Sequence, residues 1–232
     1  MSEPRPRIVL ATGNPHKLEE LQAIFNACAH GEAGVELVSL AAVAVDVDEP
    51  VEDGATFEAN AIKKARHYAA ATGLPCLADD SGLAVDALAG EPGVRSARYS
   101  GASGPRAEVD LANNRLLLDR LGDTPAAERT ARFVCVMALA EPGDGGQARA
   151  TVRGTVEGRI LLPAEAADPS QPERGRGANG FGYDPLFFVP DLGRTTAELS
   201  PEAKNRISHR GHAARGMYEK LIELGLVSTG DH

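Results

Sequence analysis

A chain of 232 residues is long enough to bury a proper core, as one large domain or two small lobes. Its net charge of −9 argues against indiscriminate nucleic-acid binding, so an anionic substrate would need a local basic pocket. Cys28, Cys76 and Cys135 are odd in number and form no CxxC pair, which argues against a disulfide framework or a zinc site. The opening segment has only a brief apolar run, neither a signal peptide nor a membrane span, and a cytoplasmic protein with no membrane contact is expected.

Taken in order, Arg7 to Thr12 reads as a buried strand broken by Gly13 and Asn14. Asn14 then suits an N-cap and Pro15 a first helical position, with Leu18, Leu21 and Phe25 at near-helical spacing. Val35 to Leu40 suggests a second strand, and Val45 to Gly54 an acidic loop. Phe57 to Ala71 is predicted helical, capped by Thr56 and stopped by Gly73. Pro75 to Ala78 begins a strand that is expected to end at Asp79-Asp80-Ser81-Gly82, and Leu83, Val85 and Ala87 alternate like a half-buried strand. A loop over Gly90 to Gly104 leads to a helix from Ala107 to Leu121, ended by Gly122. Phe133 to Ala140 is a continuous apolar run suited to a central strand, with Ala148 to Leu162 as its antiparallel partner. Pro163 to Gly180 reads as a mobile loop, Phe181 to Pro190 contains a short strand, and Ser200-Pro201 opens a helix. Met217, Leu221 and Leu224 mark a last helix stopped by Gly225. The expected fold is α/β with a mixed sheet, and no internal repeat or firm domain boundary is visible.

Four constellations carry possible chemistry. Thr12, Gly13, Asn14, Pro15, His16 and Lys17 place a glycine, a helix N-terminus and a lysine together, which suits an anion or equally a plain capped helix. Glu52 and Asp53 with Asp79 and Asp80 offer oxygen ligands for Mg2+ and a general base, or else an exposed acidic turn bent by Gly82. Asn60 and Lys64 share one helix face, which lines a cleft or is simply solvated. Lys204, His209 and Arg210 add basic groups, and Ser208 to Gly211 also reads as a cationic helix C-terminus. Phe181, Gly182, Tyr183 and Asp184 follow Gly180 and form either an aromatic platform for a purine or a core strand entered by a turn. The histidines lack metal-ligand spacing and there is no Gly-x-Ser-x-Gly elbow, so covalent catalysis has little support.

The segments LATGNPHKLEEL, FEANAIKKARHYAAATGLPCLADDSGLAVDALAGEPGVRSARYSG, ARFVCVMALA, GFGYDPLFFVP and AELSPEAKNRISHRG occur in this order. Together they resemble the inosine triphosphate pyrophosphatase family, over nearly the whole chain from Ile8 to Met217. That resemblance implies an elongated, two-lobed α/β fold spanning residues 1–232 as a single domain, homodimeric, with Mg2+ as cofactor. It implies hydrolysis of non-canonical purine nucleoside triphosphates (dITP, ITP and XTP) to a monophosphate and pyrophosphate. Thr12 to Lys17 correspond to the triphosphate loop, and Asp80 to the general base and metal ligand with Glu52 nearby. Ser81, Asn60, Lys64, Phe181 to Asp184, Lys204, His209 and Arg210 correspond to substrate contacts. Relative to the family, the link before GFGYDP is extended by roughly Glu165 to Gly177.

Base choice is expected to follow hydrogen-bond polarity. Hypoxanthine and xanthine present O6 as acceptor where adenine presents an amine, so backbone N–H groups or Arg210 facing O6 would disfavour ATP. A triphosphatase of canonical nucleotides and a nucleotide-binding regulator without turnover are the competing readings.

Overall fold

The computed structural model describes residues 5–12, 15–29, 34–43, 47–143 and 147–227, with only the backbone at 15 and 16. The apolar, β-branched run at the start forms β1 (Arg7–Leu10). It is followed by α1 (Pro15–Cys28) and β2 (Glu36–Ser39). Gly13 and Asn14, the expected helix entry, lie outside the described residues. Next comes α2 (Phe57–Thr72), bounded as its sequence demands: Thr56 Oγ1 accepts from Ala59 N at 3.1 Å, and Gly73 closes it at φ 68°. The chain continues through β3 (Cys76–Val85), α3 (Arg106–Leu121), β4 (Thr130–Ala140) and β5 (Ala150–Ile160). It ends with β6 (Phe187–Val189), β7 (Arg194–Thr195), α4 (Pro201–Ile207) and α5 (His209–Glu223). Ser200 caps α4 through Ala203 N, with Pro201 at its first position.

The seven strands form one mixed sheet in the order β2-β1-β3-β4-β5-β6-β7. β1 runs parallel to β2, with Ile8 opposite Leu37, and parallel to β3, with Leu10 opposite Leu77. β6 is antiparallel to β5 and to β7. The chain divides into two compact units whose borders fall inside β3, β4 and β5. Unit 1 comprises Met1–Asp80, Cys135–Gly154 and His209–His232, and unit 2 comprises Ser81–Val134 and Thr155–Ser208.

In unit 1, α1 and α5 pack together and cover β1 and the first half of β3, burying Leu21, Phe25, Met137, Met217 and Leu221. Phe25 and Tyr218 meet edge to face, with ring centroids 5.6 Å apart. In unit 2 the core gathers Leu83, Leu117, Leu121, Phe133, Leu186 and Phe187. Burial of such side chains contributes about 1.5–3 kcal/mol each.

The Asp-Asp-Ser-Gly run does not end a strand: all four residues lie within β3, which continues to Val85, while Ala87 belongs to a short 3-10 turn over Asp86–Leu88. Turn-forming residue types suggested a bend, but Gly82 serves a different need. A Cβ there would collide with Ser96 Oγ and stand 2.7 Å from Gly93 O. Ser96 Oγ in turn accepts from Leu83 N at 2.9 Å, so Gly82 lets β3 lie directly against the 93–98 turn. The loop expected over Gly90 to Gly104 is accordingly partly ordered as that 3-10 turn. The segment after β5 carries 3-10 turns at Pro163–Glu165 and Pro172–Arg174. Among the described residues, no helix is long and apolar enough to cross a membrane.

Candidate active site

In unit 1 the two adjacent aspartates occupy opposite faces of β3, as strand geometry requires, and so acquire different partners. Asp79 receives Lys17 Nζ at 3.0 and 3.1 Å on its two oxygens, and Arg210 Nε lies 3.6 Å from Oδ2. Asp80 receives Asn60 Nδ2 at 3.0 Å and lies 3.8 Å from Lys64 Nζ, which also donates to Glu52 at 2.8 Å. Both aspartates are buried.

These surroundings separate the acidities. Burial works against the Asp79 carboxylate, but Lys17, Arg210 and Lys64 together outweigh it and hold the carboxyl well below the usual range. At Asp80 burial prevails over Lys64 and Asn60, with Glu52 and Asp79 adding repulsion, and its acidity is weakened. Lys64 is held protonated: desolvation is outweighed by Glu52, Asp80 and Asp79. Asp79 is thus a fixed anion clamping two cations, whereas Asp80 is the better proton acceptor.

Asn60 organises this arrangement. It is fully buried, its oxygen accepts from Gly54 N at 2.8 Å, and its amide nitrogen donates to Asp80. The acidic segment and the β3 carboxylate are therefore held by one side chain. Within that segment Glu52 reaches Lys64, while Asp53 pairs with Lys63 on the surface.

Arg210 and His209 do not close a helix, as their spacing before Gly211 suggested; His209 opens α5. A cation at a helix N-terminus faces the unfavourable end of the dipole, so it needs anions. Asp79 and Glu20 supply them, Glu20 Oε2 lying 3.2 Å from Arg210 Nη1. Lys17 and Glu20 sit three residues apart on α1 and so share one face. Arg210 is buried and lies against the carboxylates of Glu20 and Asp79.

In unit 2, Phe181 is 54% exposed, but Tyr183 is buried and donates its hydroxyl to Ser96 O at 2.9 Å. Of the two aromatics only Phe181 presents its ring to solvent, while Tyr183 serves the core. Asp184, also buried, accepts from Phe181 N at 2.8 Å, Thr196 Oγ1 at 2.8 Å and Lys204 Nζ at 2.6 Å. Lys204 Nζ lies 5.3 Å from the Phe181 ring centroid. Gly180 and Gly182 have φ of 81° and 61°, which lets the chain wrap around the Asp184 carboxylate. Ser81 lies in β3 at the start of this unit, and Thr12 follows β1 in unit 1.

The structure adds Glu20 to the residues considered, and it makes Asp79, expected as a metal-ligand or base candidate, the partner of Lys17 and Arg210. The i,i+3 spacing of Lys17 and Glu20 was an available signal, but the partner Arg210 is remote in sequence. Glu52 and Asp80 offer the oxygen chemistry that Mg2+ takes. Among the described residues no group of three or more His, Cys, Asp or Glu gathers as a metal cage. One or two carboxylates completed by substrate phosphates are what Mg2+ commonly uses, and Glu52 with Asp80 fit that pattern.

Residues 8–220 match the model of the Ham1 family. The dITP/XTP pyrophosphatase of Nocardia farcinica is 49% identical over 219 residues, covering 94% of this chain and 96% of that protein. The structure of a HAM1 protein from Coxiella burnetii superposes with a TM-score of 0.78 at 39% identity, covering 94% of this chain and 99% of that one. That of the nucleoside-triphosphatase / dITP/XTP pyrophosphatase from Mycobacterium abscessus gives 0.68 at 45% identity, covering 91% and 98%. At this identity and coverage, the chain belongs to the Ham1 family.

Proposed function

We propose that this protein hydrolyses dITP, ITP and XTP between the α and β phosphates, giving the monophosphate and pyrophosphate, with Mg2+ as its metal. The observation that carries this reading is the geometry of two neighbours on β3: Asp79 holds Lys17 and faces Arg210, while Asp80 is aimed by Asn60 beside Lys64 and Glu52. A hydrolase needs cations that stay put and a carboxylate that can take a proton, and β3 supplies the anchor and the acceptor as neighbours.

In this reading Asp80 orients a water molecule and accepts its proton as the oxygen bonds to phosphorus. The bridging P–O bond breaks, and pyrophosphate leaves with the electron pair. Lys17 and Lys64 offset negative charge on the phosphates, while Asn60 keeps Asp80 aimed. When bound by Glu52 and Asp80, Mg2+ would neutralise further phosphate charge and polarise the anhydride.

Base selection is assigned to Phe181 and Lys204. The N–H groups of Phe181 and Gly182 are already donated to Asp184 and Asp110, at 2.8 and 2.9 Å. Lys204 has three N–H donors, of which Asp184 takes one. A purine stacked on Phe181 would meet that ammonium, which favours O6 of hypoxanthine or xanthine and disfavours the adenine amine. The family resemblance adds a homodimer working in the cytoplasm.

The test is pyrophosphate release from ITP, XTP, GTP and ATP, with Mg2+ and with chelator. Metal-dependent release from ITP and XTP with ATP much slower is the result expected from the O6 contact; slow GTP, whose guanine also presents O6, is expected from the family resemblance alone. Equal turnover of all four would overturn the base assignment. Absence of turnover in folded protein would overturn the enzymatic one.

A further inference from the structure

In unit 1, α2 carries Asn60, Lys63, Lys64 and His67 at the i, i+3, i+4 and i+7 positions of one face. All four reach the segment that precedes the helix. Asn60 Oδ1 accepts from Gly54 N at 2.8 Å, and Lys63 Nζ pairs with Asp53 at 2.6 Å. Lys64 Nζ donates to Glu52 at 2.8 Å, and His67 Nε2 lies 2.8 Å from Asp48 O. The partners run backwards in sequence as α2 runs forward, so this segment lies antiparallel along about 10 Å of the helix, like a strap. Residues 47–54 form neither helix nor strand, so side chains of α2 set where their backbone lies.

The four ties are unequal. The Lys63–Asp53 pair is exposed on both sides, and such pairs contribute little. Asn60 and Lys64 hold the end that carries Glu52 and Gly54, and both also face Asp80. Of the four, His67 holds the far end, and it does so through a backbone carbonyl, which pins the path of the chain itself. A carbonyl oxygen only accepts, so Nε2 carries the proton. The imidazole also meets the Tyr68 ring edge-on, with centroids 5.1 Å apart, so ring contact and hydrogen bond are separable contributions. Held at both ends, the strap presents Glu52 in one place; released at Asp48, it leaves Glu52 on a looser arm that any ligand must order at a cost.

We propose that His67 is a positioning residue for the metal site: its bond to Asp48 O closes the strap that delivers Glu52. This rests on the reading of Glu52 as an Mg2+ ligand given above. His67 touches neither metal nor substrate in this arrangement and acts through the backbone of residues 48–52, as groups behind a metal ligand commonly do.

The experiment compares His67→Phe, which keeps a ring and loses the N–H, with His67→Gln, which loses the ring and keeps an N–H near the place of Nε2. Two quantities are measured in the full chain: amide hydrogen exchange of Asp53 and Gly54 in metal-free protein, and the Mg2+ concentration that half-saturates pyrophosphate release from ITP. For His67→Phe both the exchange rates and the Mg2+ requirement should rise about fivefold, the scale of one hydrogen bond, with kcat at saturating Mg2+ near wild type. His67→Gln should stay close to wild type in both. Wild-type behaviour of His67→Phe, or equal damage in His67→Gln, would overturn the role of the N–H. Lowered thermal stability with both readouts unchanged would reduce His67 to packing and overturn it too. Faster exchange at an unchanged Mg2+ requirement would also overturn the proposal, and Glu52→Gln then locates the fault. If that variant leaves the requirement unchanged, the metal reading of Glu52 fails; if it raises the requirement, the strap alone fails.

Discussion

Lys17 reaches both carboxylate oxygens of Asp79, at 3.0 and 3.1 Å, from the first turn of α1. The same carboxylate faces Arg210 from the start of α5, so one side chain of β3 ties two helices to the sheet. Replacing it should therefore affect both stability and chemistry. Asp79→Asn removes one of the charges that compensate buried Arg210, leaving Glu20 as its ion-pair partner among the described residues. Breaking a buried pair from one side costs about 3–5 kcal/mol, and the retained Glu20 places the loss near the lower end. Activity should fall about a hundredfold in kcat/KM, the scale of losing a preorganised charge. Urea unfolding and steady-state kinetics on the same preparation check both parts. A variant as stable and active as the wild type would show that the clamp is idle.

Gly154→Ala should damage the same region from the other side. A Cβ at Gly154 in β5 would run into His209 O and Ala213 N at the start of α5 and stand 3.0 Å from His212 Cβ. Backbone cannot give way as a flexible side chain can, so α5 must shift and carry Arg210 with it. Overpacking of this kind costs about 1–3 kcal/mol. Gly73→Ala is the control: its added Cβ meets nothing, and only the left-handed φ of 68° opposes it, at about 1–2 kcal/mol. Turnover should fall for Gly154→Ala and hold for Gly73→Ala.

The sequence exposes local features of this fold better than distant ones. Thr56, Gly73, Ser200, Pro201 and Gly122 mark helix ends because their chemistry acts within a few residues. Glu52, Asn60, Lys64 and Asp80 come together in unit 1, and Phe181, Asp184 and Lys204 in unit 2. What local patterns misjudge is decided by tertiary contact. Asp-Asp-Ser-Gly looks like a turn because nothing in those four residues reveals that sheet pairing claims their backbone. Tyr183 looks like a second platform ring until its hydroxyl finds Ser96 O. Arg210 looks like the end of a helix because the glycine after it suggests a stop. The anions that permit it at a helix start, Asp79 and Glu20, come from β3 and α1.

Arg129 gives a purely structural prediction. It is fully buried, and its guanidinium donates to Thr124 O at 2.8 Å, Gly122 O at 2.6 Å and Leu161 O at 3.1 Å. Gly122 ends α3, so the cation sits at the negative end of that helix. Arg129→Met keeps much of the volume but strips three carbonyls of their donor, at about 1–3 kcal/mol for each one left dry. The melting temperature should drop by several degrees, while kcat at a temperature where the variant is folded should stay near wild type. Loss of activity without loss of stability would show that this residue does more than close α3.

Acid should loosen the segment after β5 through Glu165. Its carboxylate is gripped by Arg159 at 2.6 and 2.7 Å and accepts from Leu162 N at 2.8 Å. The hydrogen bonds to Arg159 come first among the influences on its acidity, burial opposes them, and the pKa lies below the ordinary 4.5. A folded-state pKa below the unfolded one means that the folded protein releases this proton more readily. The stabilisation is therefore full above the unfolded value and disappears as the pH falls through the folded one. The pair is partly exposed, so its contribution is about 1 kcal/mol or less. Glu165→Gln should lower the urea midpoint more at about pH 7 than at about pH 3, because the difference shrinks as acid protonates the wild-type carboxylate. Equal losses at both pH values would assign the effect to packing, and the ion pair would then have no part in holding this segment.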